Sequence, residues 1–491
     1  MDYKKVLLLD GPGVKLKVDG VNLGAVRTNH PKISQLTLAA IIEKEFPGIF
    51  IKIADMKSAG STNETKTKDA KYGPKVIEVY RVGQDFAGVV DDLKDSGAVI
   101  FTNNFTQEAG VVGDLIEFCK KVNSQIRVFM GGSDASVKRG EVDRQAYFYS
   151  RGADFVAPLG DGEILLPQLL KNMPVSRTIL TDFNKVPNPA LHLVDLNQYT
   201  QSHEGPLPNG IVTPLMYLET SRGCRQSCDF CGTPFTKGRF RYMNQERIES
   251  MLEHYKKAGI TSLLLCEDNI LSRLDFPNGR KAVVDWFNFM RDNGFVWEFS
   301  NGVEIGKLVK NGEIDEELVE VLFGFDGSIG CYRSYIPLER VDALVYRKLK
   351  PFDVEKRILD SVVSHGVPLL NLGIIIGNPQ ETQESLTLTE ERMRELVDRV
   401  GDKSQGMTHP YINVFLHIPI PGTNDYRRFY EEGRLAFDVN KNPELFNFYT
   451  SVVNGENFSC YDLTQLRREL AFRLNGDDAM REWEHTGKYK Y

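Results

Sequence analysis

Cys224, Cys228 and Cys231 are the densest group of metal-binding side chains in the sequence. They are spaced C-x3-C-x2-C within Thr220-Ser-Arg-Gly-Cys-Arg-Gln-Ser-Cys-Asp-Phe-Cys-Gly. Three thiolates on one tight loop can hold three irons of a [4Fe–4S] cube and leave the fourth iron open to another ligand. Soft sulfur ligands favour iron–sulfur clusters or zinc, and a closed structural zinc site needs a fourth ligand. No further Cys or His lies between His203 and His254. The other cysteines, Cys119, Cys266, Cys331 and Cys460, are scattered. An odd total of seven without a secretion signal speaks against a disulfide framework and for metal or redox chemistry.

The elements that must position these thiols are strands and helices in alternation. The triplet directly follows the apolar run 215–219, the first of six such runs; the others are 262–265, 295–299, 327–331, 369–376 and 412–417. Helical periodicity falls between them, as at 245–258 and 354–365, and six strand–helix units predict a partial (β/α)6 barrel. Upstream, the runs 5–10, 50–56, 98–104, 127–130 and 154–159 alternate with amphipathic stretches, which predicts a five-stranded parallel, Rossmann-like α/β domain. Ligands of such sheets sit beyond the carboxyl ends of the strands. Those ends carry Asp10-Gly-Pro-Gly, Thr102-Asn-Asn-Phe, Gly131-Gly-Ser and Gly160-Asp-Gly-Glu, small and polar residues suited to a broad ligand approached closely by backbone. The expected organisation is a first domain over 1–172, a proline-rich linker over 173–212, the barrel over 213–425, and a small, mainly helical C-terminal cap over 426–491. Asp462 is the expected N-cap of the cap's helix.

Composition narrows the function classes. A net charge of −7 opposes a chain held to nucleic acid by phosphate contacts. No apolar run approaches the roughly 18 residues of a membrane helix, and the N-terminus lacks a cleavable signal. No nucleic acid, no membrane and a cytoplasmic address are therefore expected.

With Phe230 immediately before the last cysteine, the triplet resembles the signature of the radical S-adenosylmethionine (SAM) superfamily. The resemblance implies a [4Fe–4S] cluster on Cys224, Cys228 and Cys231, whose open iron chelates the amino and carboxylate groups of SAM. It also implies an external one-electron donor such as flavodoxin or ferredoxin. Carried along the barrel, it places Phe230 beside SAM and offers Glu267 and Asp268, in Cys266-Glu-Asp-Asn, to the SAM amino group, although the usual Gly-Gly before the acid is missing. Arg333 and Ser334, in Gly330-Cys-Tyr-Arg-Ser, stand where relatives meet the ribose or carboxylate. Gly373, Ile375 and Gly377, in Gly373-Ile-Ile-Ile-Gly-Asn-Pro-Gln-Glu-Thr, follow the pattern of the adenine side.

The N-terminal domain resembles that of the cobalamin-dependent radical SAM enzymes. Thr102-Asn-Asn is followed by 26 residues and then Gly131-Gly132, and Gly160-Asp-Gly-Glu163 precedes the last helix. The resemblance implies cobalamin held by Thr102, Asn104, Phe105, Gly131, Gly132, Ser133, Gly160, Gly162 and Glu163. A histidine-bearing D-x-H-x-x-G motif is absent, so no histidine is expected beneath the cobalt. The implied activity is radical methylation of an unactivated carbon of a small-molecule substrate, with methylcobalamin as methyl donor. Alternatives on the same scaffold are ring contraction, cyclisation, another rearrangement or methylation at phosphorus. A cobalamin-binding regulatory module and a methylthiolating enzyme are more distant readings.

Overall fold

In a computed structural model of the chain, residues 3–24, 30–57, 63–199, 214–339 and 351–486 are described. The chain forms two compact units. One comprises 1–202, 229–238 and 418–454; the other comprises 203–228, 239–417 and 455–491.

The first unit is built on the expected parallel sheet. Its strands are Lys5–Asp10, Phe50–Asp55, Ala98–Thr102, Arg127–Gly131 and Phe155–Val156, in the order fifth–fourth–third–first–second. Every neighbouring pair is parallel. Val6, Leu7, Leu8, Ala98, Val99 and Val128 are fully buried, as strands covered by helices on both faces require. One face packs on the helices Ile33–Glu45 and Gly162–Leu170 through Leu38, Ile42, Leu165 and Leu169. In this order the connections reverse between the first and third strands, the switch point where doubly wound sheets bind ligands. Asp10 and Thr102 end those two strands.

Three features of this unit differ from the sequence expectation. A second, antiparallel sheet joins Gly13–Val18, Val21–Asn22, Glu64–Tyr72 and Lys75–Val82. Its signal was the alternation of Val14 and Leu16, both buried, with Lys15 and Lys17. The described part of the expected linker packs against the unit: Phe183, Leu191 and Tyr199 are buried, and the Ala190 N–H donates to the Leu36 carbonyl at 3.1 Å. The segment expected to form one cap is divided, because 418–454 groups with the first unit and 455–491 with the second. Within the first unit the Tyr72 hydroxyl donates to the Ser451 carbonyl at 2.6 Å, and the Tyr72 ring stacks on Phe437.

The second unit is the barrel. Its strands, Leu215–Leu218, Ser262–Leu265, Val296–Phe299, Gly330–Glu339, Leu369–Ile376 and His409–Leu416, are parallel and lie in sequence order. The helices Gln245–Lys257, Gly279–Asp292, Glu316–Phe323, Phe352–Ser364 and Gln383–Ser404 connect them. The fourth strand starts three residues later than expected and runs eight residues further, to Glu339, with a register shift between Pro337 and Glu339. Helix Cys460–Asn475 covers the free edge of the last strand: Asn475 accepts from the Ile412 N–H at 2.7 Å and donates to the Ile412 carbonyl at 2.9 Å. Its N-cap is Ser459 rather than Asp462, which sits three residues in and completes a capping box. Among the described residues, no helix is long and apolar enough to cross a membrane.

Candidate functional site

Cys224, Cys228 and Cys231 lie on an irregular stretch between the strand Ser221–Arg222 and the short helix Thr233–Thr236, and all three are half-buried. Ser221–Arg222 pairs antiparallel with Arg241–Tyr242, and the Met243 N–H donates to the Thr220 carbonyl at 2.8 Å. Further attachments of the loop come from the end of the second barrel strand. Glu267 Oε1 accepts from the Thr220 N–H at 3.0 Å and from its hydroxyl at 2.8 Å. Asp268 Oδ2 accepts from the Gly223 N–H at 2.7 Å. Asn269 Nδ2 lies 3.6 Å from Cys224 Sγ, which also accepts from the Gln226 N–H at 3.4 Å. Glu304, in the loop after the third strand, accepts from the side chains of Gln226 and Asn269, each at 2.7 Å. Burial pushes the Glu267 carboxyl up to about 7, with the hydrogen bonds from Thr220 opposing it.

Beside this loop an open cavity of about 540 Å³, counting its solvent-facing mouth, is lined by Asp268, Glu304, Glu339 and Glu355 with the amides of Asn269 and Asn301. Four carboxylates around one cavity favour a cationic ligand. Glu339 is buried and has φ +59°, a left-handed conformation rare for a side chain of this size. Of the barrel residues expected to meet SAM, only Asp268 lines the cavity. Glu267 holds Thr220 instead. Arg333 and Ser334 are in mid-strand, because the fourth strand ends five residues beyond Ser334. Arg333 pairs with the buried Glu298 at 2.7 Å, where the Tyr332 hydroxyl also donates at 2.6 Å, and Ser334 is fully buried. Gly373 makes room for the Tyr335 ring, whose hydroxyl a Cβ there would meet at 2.0 Å. Ile375, half-buried, follows on the same strand. The Gly377 N–H donates to the buried Glu381 carboxylate at 2.8 Å, closing the Gly-Asn-Pro turn on itself. Phe230 is half-buried in the cysteine loop. Asn269, Glu304 and Glu339 were not singled out from sequence. Asn269 directly follows the two acids that were, whereas Glu304 and Glu339 lie in a loop and after a bulge that no local pattern marks.

At the carboxyl edge of the first unit, Asn103 organises the expected ligand loops. It is fully buried, and its Nδ2 donates to Asp134 Oδ2 at 2.9 Å and to the Phe105 carbonyl at 3.2 Å. Thr106 and Arg144 also bond to Asp134, and Arg144 continues to Asn440 Oδ1 at 2.6 Å. Gly132 has φ +106°, and a Cβ there would lie 2.3 Å from the Asn103 carbonyl oxygen. Gly131 by contrast has, among the described residues, only Ala157 within 4.0 Å of such an atom, so these leave its flank open. Asn104 Oδ1 accepts from the Ser133 N–H at 3.0 Å. Phe105 is 58% exposed, unusual for an aromatic at a strand exit. The Thr102 hydroxyl oxygen is buried without a partner among the described residues. At the fifth strand, a Cβ on Gly160 would lie 2.5 Å from the Thr178 carbonyl oxygen, while Gly162 and Glu163, both half-buried, open the following helix. The strand ends are also charged. Lys32 Nζ bonds Asp10 Oδ1 at 2.5 Å and the Thr102 carbonyl at 2.9 Å, linking the first and third strands. Asp55, pushed up to about 6 by burial and by Asp10, accepts from the Tyr199 hydroxyl at 2.9 Å.

Among the described residues, no three Cys, His, Asp or Glu side chains converge as a ready-made metal site. The three loop cysteines fit a cluster by donor chemistry. They are half-buried and within eight residues of one another, whereas Cys119, Cys331 and Cys460 are buried, and burial pushes the Cys119 thiol up to about 12. The unpartnered Thr102 hydroxyl and the open flank of Gly131 likewise fit a ligand lying along the first unit's sheet edge.

Comparison with known proteins agrees with this anatomy. The sequence profile of the radical SAM superfamily matches residues 218–393. The ribosomal protein uS12 methylthiotransferase RimO of Clostridium botulinum (strain Loch Maree / Type A3) is 22% identical over 269 residues, 52% of this chain and 58% of that protein. Cytidylyl-2-hydroxyethylphosphonate methyltransferase of Streptomyces wedmorensis is 23% identical over 241 residues, 47% of this chain and 42% of that protein. The chain thus spans about half the length of these curated relatives. Among solved structures, the cobalamin-dependent SAM radical enzyme OxsB, with aqua-cobalamin and SAM bound, superposes with a TM-score of 0.66 at 14% identity, covering 94% of this chain and 66% of OxsB. The radical SAM methyltransferase TsrM of Kitasatospora setae, with cobalamin and a [4Fe–4S] cluster bound, gives 0.56 at 14% identity, covering 94% of this chain and 85% of TsrM. The barrel opens at the strand before the thiols and matches the radical SAM superfamily over residues 218–393, so this part of the chain is a radical SAM domain, and the fold is like that of OxsB and TsrM.

Proposed function

We propose that this enzyme is a cobalamin-dependent radical SAM methyltransferase acting on an unactivated carbon of a small molecule. The observation that supports this best is the first unit: a doubly wound sheet whose switch-point edge combines the unpartnered Thr102 hydroxyl with the open Gly131. When bound, the cluster and SAM supply a hydrogen-abstracting radical, and cobalamin supplies the methyl group. Cys224, Cys228 and Cys231 would hold the cluster through their three thiolates. Asp268, Glu304, Glu339 and Glu355 set negative charge where the ammonium and sulfonium of SAM need it. Thr102, Asn104, Phe105, Gly131, Ser133, Gly160, Gly162 and Glu163 present hydroxyl, amide, backbone and aromatic groups to the cobalamin. Gly132 keeps the loop after the fourth strand tight against Asn103. The electron comes from a soluble one-electron donor such as flavodoxin or ferredoxin, and a cytoplasmic location belongs to the same reading.

The names of the methylthiotransferase relatives raise a second reading, but the first 202 residues hold a single cysteine, Cys119, whose buried and raised thiol makes a poor cluster ligand. Anaerobic purification with iron, sulfide and cobalamin counted per chain tests the proposal. Near four irons and one cobalamin are expected, with S-adenosylhomocysteine and 5′-deoxyadenosine both formed in step with product. Four irons without cobalamin would overturn methylation, and 5′-deoxyadenosine without S-adenosylhomocysteine would point to a non-methylating rearrangement or cyclisation.

A further inference from the structure

The residue best placed to act on the cluster without ligating it is Asn269. It is 4% exposed, and its Nδ2 reaches two acceptors: Glu304 Oε2 at 2.7 Å and Cys224 Sγ at 3.6 Å. An ionised carboxylate only accepts hydrogen bonds, so the NH2 edge of the amide must face Glu304 and, with it, the cysteine sulfur. The amide oxygen is buried without a hydrogen-bond partner among the described residues, so the nitrogen alone fixes the side chain. Glu304 is fixed in turn by Gln226, two residues beyond Cys224, whose own N–H also points at that sulfur. One thiol of the three thereby receives two N–H donors, one from the backbone of its own loop and one from a side chain carried by the barrel.

We infer that Asn269 is a positioning residue that tunes the reduction potential of the cluster through its hydrogen bond to Cys224 Sγ. This rests on the reading of Cys224 as a cluster ligand. An N–H donor to a ligating sulfur offsets the negative charge that one-electron reduction adds, so it favours the reduced cluster and raises its potential. Glu304 keeps the donor aimed at the sulfur.

The test is a redox titration of the reconstituted full-length enzyme without SAM, followed by electron paramagnetic resonance, with iron counted per chain. Wild type is compared with Asn269→Leu, which keeps the branching at Cγ and removes the donor, with Asn269→Ser, whose hydroxyl is too short to reach Cys224, and with Asn269→Gln, which keeps an amide. The Leu and Ser variants are expected to hold about as much iron as wild type and to show a reduced-to-oxidised ratio at fixed ambient potential lower by about tenfold, equivalent to about 59 mV for one electron. The Gln variant should lie nearer wild type. Wild-type potentials in the Leu and Ser variants would overturn the inference, as would loss of iron from both, which would make Asn269 an assembly residue. A wild-type protein that assembles no cluster would instead refute the functional reading beneath it.

Discussion

At the scale of single residues, acids at the end of the second barrel strand hold backbone that would otherwise wander. Glu267 is the clearest case, because its carboxyl rises from the ordinary 4.5 to about 7, with burial as the main cause. A carboxyl raised on folding contributes stability that is fully present below about pH 4.5 and is lost as pH climbs through 7. Glu267→Gln should remove this dependence. Between pH 5 and pH 8, wild-type apoprotein should lose on the order of 3 kcal/mol more stability than the variant in urea titrations, and parallel pH profiles would contradict the assignment. Gly132 makes a steric case. Its positive φ and the 2.3 Å approach to the Asn103 carbonyl leave no space for a methyl group. Gly132→Ala should cost at least about 2 kcal/mol in the same titrations, and an unchanged midpoint would show that the loop relaxes. The Gly131-Gly132 pair was readable as a close backbone approach, but its partner was not. Asn103 lies 29 residues before Gly132 in sequence, and only the pairing of the third and fourth strands brings it near.

At the scale of elements, alternation of apolar runs was enough to place both parallel sheets, because strands buried on two faces have little choice of residue. The failures are those of strands with one wet face or a bulge. The antiparallel sheet was missed although Lys15 and Lys17 alternate with buried Val14 and Leu16. The apolar run that marks the fourth barrel strand stops at residue 331, before the polar Arg333 and Ser334. A register shift beside Pro337 lets the strand continue to Glu339, which carried the cavity's acid out of sight. The loops after the third and fourth strands of the first unit depend on the Arg144–Asp134 ion pair, 3.0 Å long, with Arg144 fully buried. Removing one member leaves the other charged and dry. Arg144→Met should therefore destabilise the protein by about 3–5 kcal/mol, and Asp134→Asn added to it should recover part of that loss. A calorimetric cycle with additive effects would contradict the coupling.

At the scale of the whole molecule, the sequence was most informative where chemistry is local in the chain. Three thiols in eight residues need no long-range fold to be recognised, whereas the acids of the cavity beside them come from residues 268 to 355 and are gathered only by the barrel. The division of 418–491 between the two units was likewise invisible, since nothing in the composition of 418–454 marks its packing against Tyr72 and Arg144. Everything proposed for the barrel needs the three thiols, and anaerobic production of 5′-deoxyadenosine from SAM reports on them. Under an excess of one-electron reductant, the wild-type enzyme should cleave SAM. A variant with Cys224, Cys228 and Cys231 all replaced by alanine should hold no iron and release no 5′-deoxyadenosine above background. Cleavage at the wild-type rate by that variant would contradict the account.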